Sequence, residues 1–202
     1  MGDLRPVRVA RTWRSAVLLW LGLSWVFVTS AILMTGPLRA GALPELLRSP
    51  QAFLEAGIGL AASIAAMVAG MEVGVPGAPR RWRLFLPTAI LMSAWLGIIA
   101  YGVSHPALEN SMLGKREHCF IQSLIFATPP YFLALRLLRE RLPEASLFAG
   151  LLVGAAAAAI PALWMQMACM HDPVHAMKFH LTPVLALGLV GALMSQSAKL
   201  RN

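Results

Sequence analysis

The chain has 202 residues, of which 58% are apolar and 13% charged, with 17 Lys and Arg against 9 Asp and Glu. About a quarter of the residues in a globular domain are charged, so this composition excludes a disordered chain and argues against a soluble domain. Two cysteines exclude a disulfide-rich scaffold. The net charge of +8 has two possible origins, an excess of positive residues on one side of a membrane or a nucleic-acid-binding surface, and the apolar composition favours the first.

Six stretches are long and apolar enough to cross the roughly 30 Å hydrocarbon core of a bilayer as helices. They cover residues 16–34, 53–75, 84–103, 119–135, 146–168 and 181–198. Of the charged residues only Glu55 and Glu72 fall inside them, because burying a charge in lipid is costly. Continuous rather than alternating apolar runs exclude membrane strands. We therefore predict an all-α membrane protein, a bundle of six transmembrane helices between a short segment 1–15 and a tail 199–202.

The positive charges predict how this bundle is oriented. Six spans place both termini on one side, and that side carries twelve of the Lys and Arg residues against five on the other. The twelve are Arg5, Arg8, Arg11, Arg14, Arg80, Arg81, Arg83, Arg136, Arg139, Arg141, Lys199 and Arg201. The positive-inside rule then makes both termini cytoplasmic. The basic excess is thus a topology signal, and no direct nucleic-acid partner is expected.

Both cysteines and all five histidines fall on the outer side of this topology. The histidines are His105, His118, His171, His175 and His180. Cys119 opens the fourth span and Cys169 ends the fifth, and a short connection makes these spans antiparallel neighbours, so both thiols reach one outer rim. Two interpretations stay open. The thiols can form a disulfide in the oxidising outer compartment, or they can bind a soft metal together with nearby imidazoles.

No enzyme motif accompanies these residues. The sequence lacks a nucleophile elbow, a P-loop, a dinucleotide fingerprint and a Cys-x-x-Cys pair. The chain is therefore predicted not to be an enzyme, and no cofactor is required.

Several segments in the second half occur in a recognisable order. They are His118-Cys119, Thr128-Pro129-Pro130, Leu135-Arg136, Leu142-Pro143, Gly150-Leu-Leu-Val-Gly154 and Cys169-Met170-His171-Asp172-Pro173. In this order they resemble the NrsF-type (negative regulator of sigma F) family of membrane anti-sigma factors. The resemblance implies a six-span protein of the bacterial inner membrane that holds an extracytoplasmic-function sigma factor inactive. One departure is Phe179-His180, where the family often carries Trp-Tyr, and this histidine bears on metal preference.

The resemblance also implies roles for individual residues. Cys119 and Cys169 would sense a heavy metal or redox stress, the metal being a signal rather than a cofactor. His118, His171 and His175, which lie near the cysteines in sequence, are the candidate imidazole ligands of such a site. An acidic sigma-factor surface would meet the inner arginines Arg5, Arg8, Arg11, Arg136, Arg139 and Arg141. The partners are thus a sigma factor and the lipid bilayer. The alternatives are a small metal or solute transporter, which would need polar residues at mid-membrane, and a structural membrane subunit.

Overall fold

The computed structural model describes residues 12–73, 82–106, 108, 112–141 and 146–199, and every regular element in these ranges is helical. The helices are α1 (Trp13–Thr35), α2 (Ala42–Arg48), α3 (Pro50–Val73), α4 (Trp82–Ser104), α5 (Cys119–Arg141), α6 (Leu147–Ala168), α7 (Pro173–His175) and α8 (Thr182–Lys199), with a π-helical segment (Ala176–Leu181) joining α7 to α8. Six helical runs, α7 to α8 counting as one, are long and apolar enough to span a membrane. The predicted all-α class is therefore confirmed.

Short polar side chains cap several of these helices. The Oγ1 atom of Thr12 accepts a hydrogen bond from the backbone N–H of Ser15 (3.3 Å) before α1. The hydroxyl of Ser146 accepts one from the backbone N–H of Ala149 (3.2 Å) before α6. Such caps satisfy backbone donors that the first helical turn leaves free. The starts of α1 and α6 are therefore fixed by a capping residue that the sequence supplies just before each apolar run.

The structure differs from the predicted spans near the cysteines. A short helix, α2, lies in the first connection, where Gly41 (φ 82°) precedes it and the buried Arg39 forms an ion pair with Glu45. The last helical run begins at Pro173 rather than at residue 181. His175, Lys178 and His180 interrupt the apolar residues of 173–180, so the sequence predicts a loop there. However, the Asp172 carboxylate accepts a hydrogen bond from the backbone N–H of Val174, and a proline in the first turn favours helix initiation.

Helix α5 also continues beyond its predicted end at residue 135, to Arg141. The residues beyond the apolar stretch are mainly Leu, Arg and Glu, which are good helix formers. An ion pair one helical turn apart, between Arg136 Nε and Glu140 Oε1 (3.1 Å), lies on this extension. The helix therefore carries its arginines beyond the apolar segment.

Helix α6 lies at the centre of the bundle, packed against α1, α3, α5 and α8. Its Gly150 and Gly154 face α8 so closely that a Cβ atom on either would collide with the backbone of Gly191 or Leu187. Small residues at this spacing allow two helix backbones to approach. The Gly-x-x-x-Gly pattern is therefore satisfied within the chain, by the α6–α8 contact.

Buried side chains tie further helices together by hydrogen bonds. The indole Nε1 of Trp20 on α1 donates to the carbonyl oxygen of Pro130 on α5 (3.1 Å). The Ser63 hydroxyl on α3 donates to the carbonyl oxygen of Ala156 on α6 (2.9 Å). Helix α5 is continuous through the Pro129-Pro130 pair. These two hydrogen bonds therefore set the position of α1 along α5 and of α3 along α6.

The two ends of the bundle have different chemistry. At one end, here called the cysteine end, α5 begins and α1, α4 and α6 finish, and the backbone N–H of Arg39 donates to the carbonyl oxygen of Met167 (3.2 Å). At the other, the terminal end, α1, α4 and α6 begin and α3, α5 and α8 finish. Between the ends, large apolar side chains such as Leu18 and Val26 remain exposed, as expected of a surface that faces lipid. These faces, together with the six apolar helices, indicate a membrane protein.

Candidate functional site

The two cysteines meet at the cysteine end. Cys119 is the first residue of α5, and Cys169 is the C-cap of α6, where its backbone N–H donates to the carbonyl oxygen of Met165. Both are free thiols and buried, with their Sγ atoms 2.8 Å apart. The predicted sharing of one rim is therefore confirmed. Their sensing role stays a prediction.

Two histidines complete a cluster around this pair, here called the Cys–His cluster: Cys119, Cys169, His175 and His180. The four ligand atoms lie within 4.8 Å of one another, and His175 Nε2 is 3.5 Å from Cys169 Sγ. Both cysteines and His180 are buried, whereas His175 is half-buried. Two thiols and two imidazoles are a donor set suited to a soft or borderline cation.

The π-helical segment explains why His180 joins His175. In an α-helix, residues five apart are separated by about 140° around the axis and point in different directions. A π-helix is wider, with i→i+5 hydrogen bonds, and brings these positions towards one face. Here the ring centroids of the two histidines are 5.2 Å apart. Sequence reasoning placed His180 on the outer side but did not assign it to the site, since nothing in the residue pattern revealed this local change of helix type.

The other two predicted histidines lie outside the Cys–His cluster. His118 precedes Cys119 in a turn, and its side chain is exposed. His171 instead lines a separate cavity, where burial lowers the pKa of its imidazole. The structure therefore does not bring these two rings into the Cys–His cluster, because adjacency in sequence does not fix the direction of a ring. His118 lines the open cleft beside Cys119, and the sensing role of both histidines stays a prediction.

Two spaces of different size adjoin the Cys–His cluster. An open cleft of about 840 Å³ is lined by Cys119 and His175 among others. A cavity of about 60 Å³ adjoins the cluster at His180 and is also lined by Glu55 and Gln166. An ordered water needs roughly 10–15 Å³ of such space, so this cavity has room for several. The cluster is thus reachable from one side and backed by a small, mainly apolar cavity on the other.

The environment of Cys169 favours its thiolate. A hydrogen bond from the Cys119 thiol is the main cause that lowers the pKa of Cys169, against burial, which raises it. The nearby His180 imidazole lowers this pKa further. Thiolates, rather than thiols, bind metals and attack oxidants, so the pair is chemically poised for either reaction.

Arg116 connects the Cys–His cluster to two helix ends. The Cys119 Sγ lies 3.2 Å from the Arg116 carbonyl oxygen, to which it donates. The Arg116 guanidinium donates to Thr35 Oγ1 (3.0 Å) and to the carbonyl oxygens of Gly36 (3.2 Å) and Ala168 (3.3 Å). It therefore joins the C-terminal ends of α1 and α6. Sequence reasoning counted Arg116 only as one of the outer positive charges, and no signal distinguished it.

The comparison with protein families decides the identity of the chain. The family model described as "Negative regulator of sigma F" (NrsF) matches residues 1–198. The chain belongs to this family. Neither the curated proteins nor the solved structures give a match. The resemblance seen in the sequence is confirmed, and the NrsF assignment implies a negative regulator with a sigma factor as its partner.

The residues predicted to contact this partner are only partly described. Arg136 and Arg139 lie exposed on α5 at the terminal end, opposite the Cys–His cluster. They line a groove with Phe132, Leu135 and Met194. Arg5, Arg8, Arg11 and the side chain of Arg141 lie outside the described residues. The contact with the sigma factor stays a prediction.

Proposed function

We propose that this NrsF-family chain is an anti-sigma factor of the bacterial inner membrane. It sequesters an extracytoplasmic-function sigma factor and releases it when Cys119 and Cys169 sense a heavy metal or redox stress. The single observation that carries the sensing part is the buried contact between the two sulfurs, at 2.8 Å, beside imidazole side chains. The family assignment supports the sigma-factor part.

The charge distribution supports an orientation for this function. Twelve of the 17 Lys and Arg residues lie in the segments grouped with the termini. By the positive-inside rule, the terminal end faces the cytoplasm, where the sigma factor is, and the cysteine end faces outwards. The signal and the partner are then on opposite sides of the membrane.

Two chemical events would change the cysteine pair. A thiophilic metal ion binds both sulfurs and displaces their protons to water. Alternatively, a peroxide accepts two electrons and both thiol protons, leaving as water while a disulfide forms between Cys119 and Cys169. Both events remove the S–H of Cys119, and with it the donor to the Arg116 carbonyl. The change therefore reaches the helix ends that Arg116 holds.

Helix α5 offers a direct route to the partner side. It begins at Cys119 and continues without interruption to the exposed Arg136 and Arg139. A shift at its first turn moves a continuous helix, because protein interiors are densely packed and transmit displacement. We place the release of the sigma factor at this far end.

The experiment is a reporter assay for sigma-dependent transcription in cells that carry Cys119→Ser/Cys169→Ser. We expect repression without stress to be kept and induction by cadmium or peroxide to be lost. The matched control is His105→Ala, which changes an exposed histidine at the cysteine end that lines neither space beside the Cys–His cluster and should respond normally. Unchanged induction in the double variant would refute the sensing role. Failure of the sigma factor to co-purify with the unmodified chain would refute the anti-sigma role.

A further inference from the structure

The geometry points to a closed four-ligand cation site formed by Cys119, Cys169, His175 and His180, in which His180 selects a tetrahedral divalent d¹⁰ cation of the zinc and cadmium class. This inference rests on the proposed function, which needs only the cysteine pair. It adds two imidazole ligands and a preference among cations.

His180 provides the first observation. Its side chain is fully buried, neither ring nitrogen has a hydrogen bond of standard geometry among the described residues, and the polar groups that face it are the Cys169 sulfur and the His175 ring. Buried polar groups are normally paired, because leaving them unpaired is costly. A ring held in this state within 4.8 Å of two thiols and a second imidazole has the arrangement of a ligand awaiting its cation.

The distances between donors provide the second observation. A tetrahedral zinc ion, with bonds of about 2.3 Å to sulfur and 2.0–2.1 Å to nitrogen, places its donors about 3.3–3.8 Å apart. Cys169 Sγ and His175 Nε2 are already 3.5 Å apart, and no pair in the Cys–His cluster exceeds 4.8 Å. The sulfurs, at 2.8 Å, must separate by about 1 Å, and any pair near the 4.8 Å limit must close by a similar amount. Cation binding thus displaces the start of α5 relative to the end of α6.

Charge argues for a divalent ion. Two thiolates and two neutral imidazoles carry a total charge of −2, so a divalent cation makes the buried Cys–His cluster neutral. A monovalent ion would leave a net charge in a site where Cys119, Cys169 and His180 are all buried, and burying a net charge is costly. Four protein ligands also leave no position for water, which is the pattern of non-catalytic zinc sites.

His180 decides the coordination number. Two thiolates alone suffice for soft ions that accept few ligands, whereas imidazole suits borderline ions such as zinc. Without His180 the cluster keeps three donors and an open position. The π-helical segment is the element that supplies this fourth donor, since it brings His180 to the face that carries His175.

The test uses the full chain, reduced and metal-free, in lipid nanodiscs. Co²⁺ is the probe, because its visible absorption reports tetrahedral coordination and thiolate ligation. We expect one Co²⁺ per chain, with tetrahedral absorption, displaced by one Zn²⁺. His180→Phe should bind Zn²⁺ at least about tenfold more weakly, because even loss of a group supporting a ligand costs that much. Its Co²⁺ absorption should shift, because water takes the fourth position. His105→Ala is the matched control and should bind normally.

A purely structural role for His180 is distinguished by His180→Cys. This change keeps a fourth protein donor, so Zn²⁺ affinity should return towards that of the unmodified chain and the Co²⁺ absorption should gain a stronger thiolate contribution. An unchanged spectrum and Zn²⁺ affinity in His180→Phe would overturn the four-ligand site. If that variant also kept cadmium induction in cells while Cys119→Ser/Cys169→Ser lost it, the inference would fail and the proposed function would stand. If no variant affected induction, the proposed function would fail as well.

Discussion

Cys119 and Cys169 are in contact, but their surroundings make them chemically unequal. The Cys119 sulfur lies within hydrogen-bond distance of both the Arg116 carbonyl oxygen (3.2 Å) and the Cys169 sulfur (2.8 Å). Cys169 receives the stabilisation that this donor supplies, so its pKa is lowered. The single S–H of Cys119 is shared between these two acceptors, and its hydrogen bond to Cys169 favours ionisation of that thiol.

This inequality can be tested with two substitutions at Cys119. Cys119→Ser keeps a hydroxyl donor, whereas Cys119→Ala removes it. Since the hydrogen bond from Cys119 is the main cause that lowers the pKa of Cys169, we expect a higher pKa for Cys169 in the alanine variant than in the serine variant. Cys169 is then the single thiol of the chain, so the ultraviolet absorbance of its thiolate as a function of pH measures this pKa. Superimposable titrations of the two variants would contradict the prediction.

The residues of the site could be predicted from the sequence only in part. Cys119 and Cys169 were predictable because each stands at the end of an apolar span, and the antiparallel order of neighbouring spans brings such ends together. His175 was named because it follows Cys169 by six residues, but the same reasoning also named His171, whose ring lies outside the cluster. His180 was not assigned, because its direction depends on the π-helical hydrogen bonding of 176–181, which residue type does not encode.

Among the elements, α6 organises the bundle through its small residues. Gly150 and Gly154 allow α8 to approach, and the Cβ position of Gly154 coincides with the backbone of Leu187. Gly22 on α1 has nothing within 4 Å of its Cβ position and faces outwards. Gly154 and Gly22 therefore both lie in a helix, but a Cβ atom would collide with a neighbouring helix at Gly154 and meet open space at Gly22.

This contrast predicts opposite effects of one added methyl group. Gly154→Ala should destabilise the chain by about 1–3 kcal/mol, because the methyl group forces α6 and α8 apart in a densely packed contact. Gly22→Ala should be neutral or stabilising by up to about 1 kcal/mol, since alanine is the better helix former. Thermal unfolding in detergent, followed by circular dichroism, compares them. Equal stability of both variants would show that the α6–α8 approach is not needed.

The elements themselves were largely predictable, because lipid excludes charge and therefore marks each span as a long apolar run. Elements that depend on particular contacts were not. Helix α2 has only seven residues and is set by Gly41 and the Arg39–Glu45 ion pair, none of which forms a periodic pattern. The last membrane-spanning helical run begins at Pro173 because Asp172 caps it, and the polar residues His175, Lys178 and His180 make this start hard to recognise in the sequence.

At the scale of the whole molecule, the chain separates a reactive end from a basic end. The buried Cys–His cluster lies where α5 begins, and the exposed Arg136 and Arg139 lie where it finishes. The NrsF family supplies a sigma factor as the partner, and the proposed orientation brings the arginine end to it. Sequence charge alone predicts this orientation, whereas the alignment of both ends on one continuous helix comes from the structure.

Reversing charge at the basic end should therefore weaken partner binding without affecting metal binding. In Arg136→Glu/Arg139→Glu, like charges would oppose an acidic sigma surface, which costs several kcal/mol, so co-purified sigma factor should fall at least about tenfold and unstressed transcription should rise. The segments at the terminal end would still carry ten Lys and Arg residues against five at the cysteine end, so the proposed membrane orientation should be kept. A fluorescent protein fused to the C-terminus would verify this orientation. Arg48→Glu, an exposed arginine at the cysteine end, is the control and should retain the sigma factor. Equal loss in the control, or none in the double variant, would exclude this surface as the binding site.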